Sequence, residues 1–515
     1  MRIKPFKNEP ITDFSIKSNL VKQQKALASV AKQLGKTYEM VVGGKKLRSK
    51  NKLVSYNPAN KDEAVANFYK GTKEIATRAV ETAAKNFEDW KFVPAAERAN
   101  YLFKAAAIAR VRRFEINAWM IYETGKNYLE ADADTAEAID FLEFYGREIL
   151  RYSAKQPLTP VKGESNELVY IPLGVGVSIP PWNFPFAILV GMTSAAVVSG
   201  NIVVLKPSSD SPMMGKLFYD IMHDAGLPDG VINFLPGSGG EVGDILVSHP
   251  KVRFISFTGS MAVGTHIYEL ASKVQPKQIW LKRVVAEMGG KDCIVVDNET
   301  NIDEAVNGVV TSAFGFQGQK CSACSRAIVD KTIYSKFVSK LKAAVEKIEV
   351  GPGVENYPMG PVINEAAQKS ILNYIKIGKK EGKLLVGGTK AMGNGHFIKP
   401  TVITDIKPND RLAQEEVFGP LLAVIKSDNF EQSLKIANNT IYGLTGAVYT
   451  KNRKKIEAAK KQLLIGNLYF NRKCTGALVG GHPFGGFNMS GTDSKAGGRD
   501  YLLLFLQAKL MSAKV

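Results

Sequence analysis

Between residues 175 and 273, short β-branched and apolar runs alternate with helix-length segments, and each run ends in a turn. Residues 175–179 lead into Pro180-Pro181-Trp182-Asn183 and an uncharged helical stretch. Residues 202–205 end at Lys206-Pro207, and a helix runs on to Ala225. Residues 231–234 end at Pro236-Gly237 before a helix across 240–246, and residues 252–257 end at Thr258-Gly259 before a helix across 260–273. Strands alternating with helices specify a parallel sheet with right-handed crossovers. Ligands of such sheets bind beyond the strands' carboxyl ends, where these turns fall. This section reads as a nucleotide-binding domain.

A second alternation, with strands at 293–296, 326–329, 401–402 and 422–425 and helices at 303–314, 334–348 and 366–381, predicts a second α/β domain. The front of the chain is helical. Ile75, Ala79, Ala83 and Phe87 recur every four residues behind Thr72, which fits an N-cap, and helices follow over 97–113 and 130–152. Residues 501–506 read as a strand.

At 515 residues, 45% hydrophobic and 23% charged, the chain has room for two or three packed units and is neither disordered nor collagen-like. Its 68 Lys and Arg against 49 acids give a net charge of +19, and residues 1–52 carry 13 of those bases against only Glu9, Asp13 and Glu39. Basic patches can release counterions from nucleic acid. No basic-aromatic module accompanies this one, so it reads as a solvated basic arm, with no nucleic-acid partner. Four dispersed cysteines make no disulfide framework and point to a reducing, cytoplasmic compartment. The N-terminus mixes Lys with Glu and Asp without an apolar core, so no secretory signal is expected. Residues 168–205 are uncharged, but Pro172, Pro180, Pro181 and Pro185 interrupt them, and no membrane span is expected.

The run from Gly237 to Gly243 misses the G-x-G-x-x-G spacing, whereas Gly259-Ser260-Met-Ala-Val-Gly264 directly follows a strand. Ser260 would open a helix whose free N–H groups and dipole suit a phosphate. Cys321-Ser-Ala-Cys324 lacks a second cysteine pair, and the five histidines are scattered, so no metal is expected. Cys321 follows the turn Phe316-Gln-Gly-Gln-Lys320. A thiol beside Lys320 and backbone N–H groups should ionise below the unperturbed pKa of about 8.5.

Read in order, Pro181-Trp182-Asn183-Phe184-Pro185, Lys206-Pro207, Phe257-Thr258-Gly259-Ser260, Glu287-Met288-Gly289-Gly290-Lys291, Gly318-Gln319-Lys320-Cys321 and Glu416-Val417-Phe418-Gly419-Pro420 resemble the aldehyde dehydrogenase superfamily from about residue 40 onward. The stretches Ala133-Asp-Thr-Ala-Glu137-Ala-Ile-Asp-Phe141, Phe314-Gly-Phe316, Asn467 through Leu478, Pro483-Phe-Gly-Gly-Phe487 and Met489-Ser-Gly-Thr-Asp493 resemble its pyrroline-5-carboxylate dehydrogenase branch.

The resemblance implies an NAD(P)-dependent oxidation of L-glutamate γ-semialdehyde to glutamate. Cys321 would be the nucleophile, Asn183 the oxyanion donor and Glu287 the general base. Lys206 and Glu416 would hold the riboses and Ser260 a phosphate, with Trp182, Phe418, Gly259 and Gly264 beside the cofactor. Ser322, Gly476, Ala477 and Glu137 would meet the substrate. Many NAD-preferring relatives carry Glu where this chain has Ser209, which leaves NADP open beside NAD. The implied fold is a Rossmann-like cofactor domain (38–155 and 172–286), an α/β catalytic domain (287–484) and a β oligomerisation element (a hairpin at 156–171, with 485–515) behind the arm at 1–37. It also implies a homo-oligomer. Another small carboxylated aldehyde, such as succinate semialdehyde, and a non-catalytic protein on the same fold remain alternatives.

Overall fold

A computed structural model describes residues 4–515. The first seven-stranded sheet has the order 283–287, 252–258, 175–179, 202–205, 232–234, 40–42, 45–47. Its first five strands are parallel, and the last two join antiparallel. The strand Ile202–Leu205 is buried at every position, as a strand covered by helices on both faces must be. Thr72 caps the helix Lys73–Trp90 by accepting the Ile75 N–H. Residues 97–113 divide into two helices, Ala95–Val111 and Arg113–Thr124. Gly239–Gly243 forms a π-turn ahead of a short helix, Asp244–Ser248, so the helix expected over 240–246 begins late.

The second sheet has the order 383–386, 401–404, 421–427, 326–330, 293–296, 445–449, 467–470 and is parallel apart from its first strand. The carboxyl-end turns of the first sheet and the turns that lead into strands 293–296, 326–330 and 421–427 of the second carry most of the residues described below. Among the described residues, no helix is long and apolar enough to cross a membrane.

Three expectations are corrected. The basic arm is not a solvated tail. Its helix Lys17–Ala31 buries Leu27 and Val30, and the preceding residues dock on acids of the long helix Tyr128–Ser153. The Glu9 N–H donates to Asp140 at 2.6 Å, and the Thr12 N–H to Asp132 at 2.6 Å, beside the Arg113 ion pair with Asp132. Residues 156–171 form no hairpin. The strand Glu164–Pro172 pairs instead with Leu506–Lys514 in a nine-residue antiparallel ribbon. Residues 501–505 are a 3-10 turn that buries Tyr501, Leu502 and Phe505, and the strand starts only at Leu506.

Candidate active site

The nucleophile turn is built from an unusual backbone. Phe316, Gln317 and Gly318 have φ of 47°, 57° and 66°, so the chain coils left-handed before reaching Cys321. Such a turn needs clamps, because non-glycine residues resist this region. The Gln317 side chain donates to the Pro361 carbonyl at 2.8 Å, and the Gln319 side chain accepts the Ile363 N–H at 2.9 Å. The Lys126 ammonium lies 4.0 Å from the Phe316 ring centre and 4.5 Å from that of Phe184, and it pairs with Asp134 at 3.2 Å. Asp134 in turn accepts the Ala187 N–H at 2.6 Å, at the start of the helix that follows Asn183. One buried ion pair thus braces both the cysteine turn and the asparagine turn.

Cys321 is half-buried and opens on two cavities. The inner one, of about 830 Å³, is lined by Glu137, Phe141, Tyr145, Phe184, Glu287, Ser322, Gly476, Ala477, Phe484 and Tyr501 among others. The outer groove, of about 1440 Å³, is lined by Trp182, Asn183, Lys206, Ser209, Gly259, Ser260, Gly289, Glu416 and Phe418 among others. All four expected substrate residues therefore line the inner cavity that Cys321 also borders. The expected cofactor residues line the groove, with one exception. A Cβ on Gly264 would come within 2.4 Å of the Met288 sulfur, so that glycine lets its helix pack on Met288 and does not line the groove.

The thiol is a correction. Burial, and then the charges of Asp292, Glu416 and Glu287, push its pKa up rather than down. Lys320 does not offset them, because its ammonium pairs with Glu130 at 2.8 Å. In the free protein the sulfur is a thiol, so its proton needs an acceptor. Glu287 is buried in the same cavity. Ser494 donates both its hydroxyl and its N–H to Oε1, while Oε2 has no partner among the described residues. Burial raises this carboxyl to about 7, against the pull of the Ser494 bonds. A base near neutrality suits proton transfer in both directions. Ser494 lies 207 residues from Glu287, and local pattern gives no signal for it.

Asn183 is buried and donates one amide hydrogen to the Gln319 carbonyl at 3.1 Å, which anchors it beside the cysteine turn. In the groove, Lys206 is buried, and its one polar contact among the described residues is the adjacent Pro207 carbonyl at 3.4 Å. Burial lowers its pKa to about 8. Glu416 accepts the Gly290 N–H at 3.0 Å, and a Cβ on Gly289 would fall 2.0 Å from its carboxylate. Ser260 caps the helix Met261–Ser272. Trp182 and Phe418 meet edge-on at 5.5 Å. An under-bonded ammonium, a carboxylate, a capped helix N-terminus and an aromatic pair in one groove fit the hydroxyls, phosphates and ring of a dinucleotide.

The aldehyde dehydrogenase family model matches residues 46–511. The chain belongs to the aldehyde dehydrogenase family. It is 53% identical over 511 residues to a 1-pyrroline-5-carboxylate dehydrogenase of Geobacillus kaustophilus, covering 99% of both chains. It is 52% identical over 509 residues to 1-pyrroline-5-carboxylate dehydrogenase 2 of Bacillus subtilis, again covering 99% of each. A Thermus 1-pyrroline-5-carboxylate dehydrogenase solved with bound NAD superposes with a TM-score of 0.98 at 48% identity, covering 100% of both chains.

Proposed function

We propose that this aldehyde dehydrogenase oxidises L-glutamate γ-semialdehyde, the open form of pyrroline-5-carboxylate, to L-glutamate in proline degradation, using NAD. The observation that carries the reading is the position of Cys321, which lines both the groove with Lys206, Ser260 and Glu416 and the cavity with Glu287, Ser322, Gly476 and Ala477. Relatives above 50% identity along the whole chain, named for this substrate, support it.

The steps follow from the residues in place. Glu287 Oε2 takes the thiol proton as the sulfur attacks the aldehyde carbon, and the carbonyl electrons move onto oxygen. The amide hydrogen that Asn183 does not spend on Gln319, with the Cys321 N–H, receives that oxyanion. One such donor typically lowers the barrier by about 3 kcal/mol. Bound NAD supplies the hydride acceptor. Collapse of the oxyanion leaves a thioester on Cys321. Glu287 passes the thiol proton to solvent and then takes a proton from water as the hydroxide adds to the thioester carbon. The C–S bond breaks to release the acid, and the departing Cys321 sulfur recovers that proton from Glu287.

In the groove, Lys206 and Glu416 would hold the riboses and Ser260 a phosphate, with Trp182 and Phe418 flanking the nicotinamide. Ser209, on the same groove, would meet a 2′-hydroxyl or 2′-phosphate. The cavity also favours this substrate over succinate semialdehyde. Desolvation, and then Asp134 and Asp140, raise the half-buried Glu137 to about 8, so a bound α-ammonium would complete its site. The exposed ribbon of 164–172 and 506–514 is the surface through which we expect a cytoplasmic homo-oligomer to form. NADH formation across a panel of aldehydes tests the substrate. The semialdehyde should give the highest kcat/KM, and a parent preference for propanal or succinate semialdehyde would overturn the reading.

A further inference from the structure

The loop over the far end of the inner cavity, 475–478, has its peptide orientation fixed from outside. The Arg472 guanidinium donates to the Thr475 carbonyl and to the Gly476 carbonyl, each at 3.1 Å. In a trans peptide the carbonyl and the next residue's N–H point in opposite directions. With both carbonyls turned to Arg472, the N–H groups of Gly476 and Ala477 must face away from it. Neither donates to a protein acceptor among the described residues, and both residues line the cavity. The next N–H, of Leu478, is already spent on His482 Nδ1 at 3.1 Å.

Arg472 is itself placed. Its guanidinium lies 4.4 Å from the Tyr469 ring centre, and the His482 ring meets the same tyrosine edge-on at 5.9 Å. Lys473 packs against Gly476, with its ammonium 3.5 Å from where a Cβ would stand, so two cations border this loop.

We infer that Arg472 is a positioning residue for substrate selection: by holding the Thr475 and Gly476 carbonyls it aims two unspent N–H donors at the carboxylate of an incoming aldehyde. This rests on the proposed substrate. A carboxylate needs convergent donors, and a loop free to flip its peptides would present carbonyl oxygens instead, repelling the same ligand. Arg472 touches no reacting atom, so its effect belongs in KM and in discrimination between aldehydes, not in the chemical step.

Two variants test it. Arg472→Met keeps the aliphatic stem but removes the guanidinium donors; Arg472→Lys keeps the charge on a shorter, non-planar head that does not reach the Nη2 position from which both carbonyls are held. In steady-state assays with NAD, Arg472→Met should raise KM for glutamate γ-semialdehyde at least tenfold, leave kcat within about twofold, and leave kcat/KM for propanal unchanged. Inhibition by L-glutamate, competitive with the semialdehyde, should weaken by a similar factor. Arg472→Lys should recover only part of the loss. Equal losses for both aldehydes, an unchanged KM for the semialdehyde, or full recovery with Lys would overturn the role. A parent enzyme that prefers propanal would instead overturn the substrate reading, so the two failures are distinguishable.

Discussion

Ser494 donates twice to one oxygen of Glu287 and leaves the other bare, although the two residues lie 207 positions apart. The serine holds the carboxylate's orientation and restrains its rise in pKa, which burial alone would carry further. Ser494→Ala should therefore raise that pKa, shifting the acid limb of the kcat–pH profile to higher pH and lowering kcat several-fold at pH 7. Glu287→Gln should go further: it removes the acceptor for the thiol proton as well as for water, so rapid mixing should show neither a burst of NADH nor appreciable turnover. A serine variant with the parent pH profile would remove Ser494 from this role.

Cys321→Ala should abolish NADH formation while NAD binding, followed by fluorescence, stays near the parent's. Cys324 is buried, with its sulfur directed at the Arg326 carbonyl at 3.5 Å. Cys324→Ala should keep activity within a few fold. Comparable loss in both would mean that the two sulfurs act together.

At position 209 a carboxylate would repel a 2′-phosphate that the present hydroxyl can meet. The Ser209 hydroxyl is held only loosely, by the Gly237 carbonyl at 3.5 Å. The parent should reduce NADP measurably at millimolar concentration, and Ser209→Glu should lower that rate while sparing NAD. Equal NADP rates in the two proteins would place the preference elsewhere.

Stability should fall on the alkaline side because of Glu123. Its Oε1 accepts the Ser55 hydroxyl at 3.0 Å and the Met213 N–H at 2.9 Å, and its Oε2 is unpaired among the described residues. Burial raises its pKa from 4.5 to about 8. A carboxyl whose folded pKa is raised stabilises fully below its unfolded value and loses that contribution as pH rises toward the folded one. Glu123→Gln keeps the acceptor and never ionises. The Tm of parent and variant should nearly coincide at pH 5, and the variant should melt several degrees higher at pH 9. A constant difference across that range would exclude ionisation of Glu123 as the cause.

The cofactor groove was legible in the sequence because its residues sit in turns directly after apolar runs, as Lys206 follows 202–205 and Ser260 follows the strand ending at Thr258. Cys321 stood out for the glycine-containing turn, 316–320, that precedes it. What was not legible depends on distant partners. The arm read as solvated because the acids that receive it, Asp132 and Asp140, lie more than 100 residues away. The Cys321 thiol is raised by burial and by Asp292, Glu416 and Glu287, which local pattern does not show, while Lys320 turns to Glu130, 190 residues earlier. Residues 501–506 have a strand's composition, yet burial of Tyr501, Leu502 and Phe505 among the core aromatics coils most of them into a 3-10 turn.

The placement of Cys321 between two openings has a consequence for chemical labelling. An electrophile carried on a bulky planar group should reach the sulfur along the larger outer groove, so dinucleotide should protect the enzyme from it. A small carboxylated electrophile can arrive from the inner cavity, past Gly476 and Ala477. Dinucleotide should leave that reaction open, and L-glutamate should block it. One sulfur would thus show two independent protection patterns, each reporting which doorway is closed.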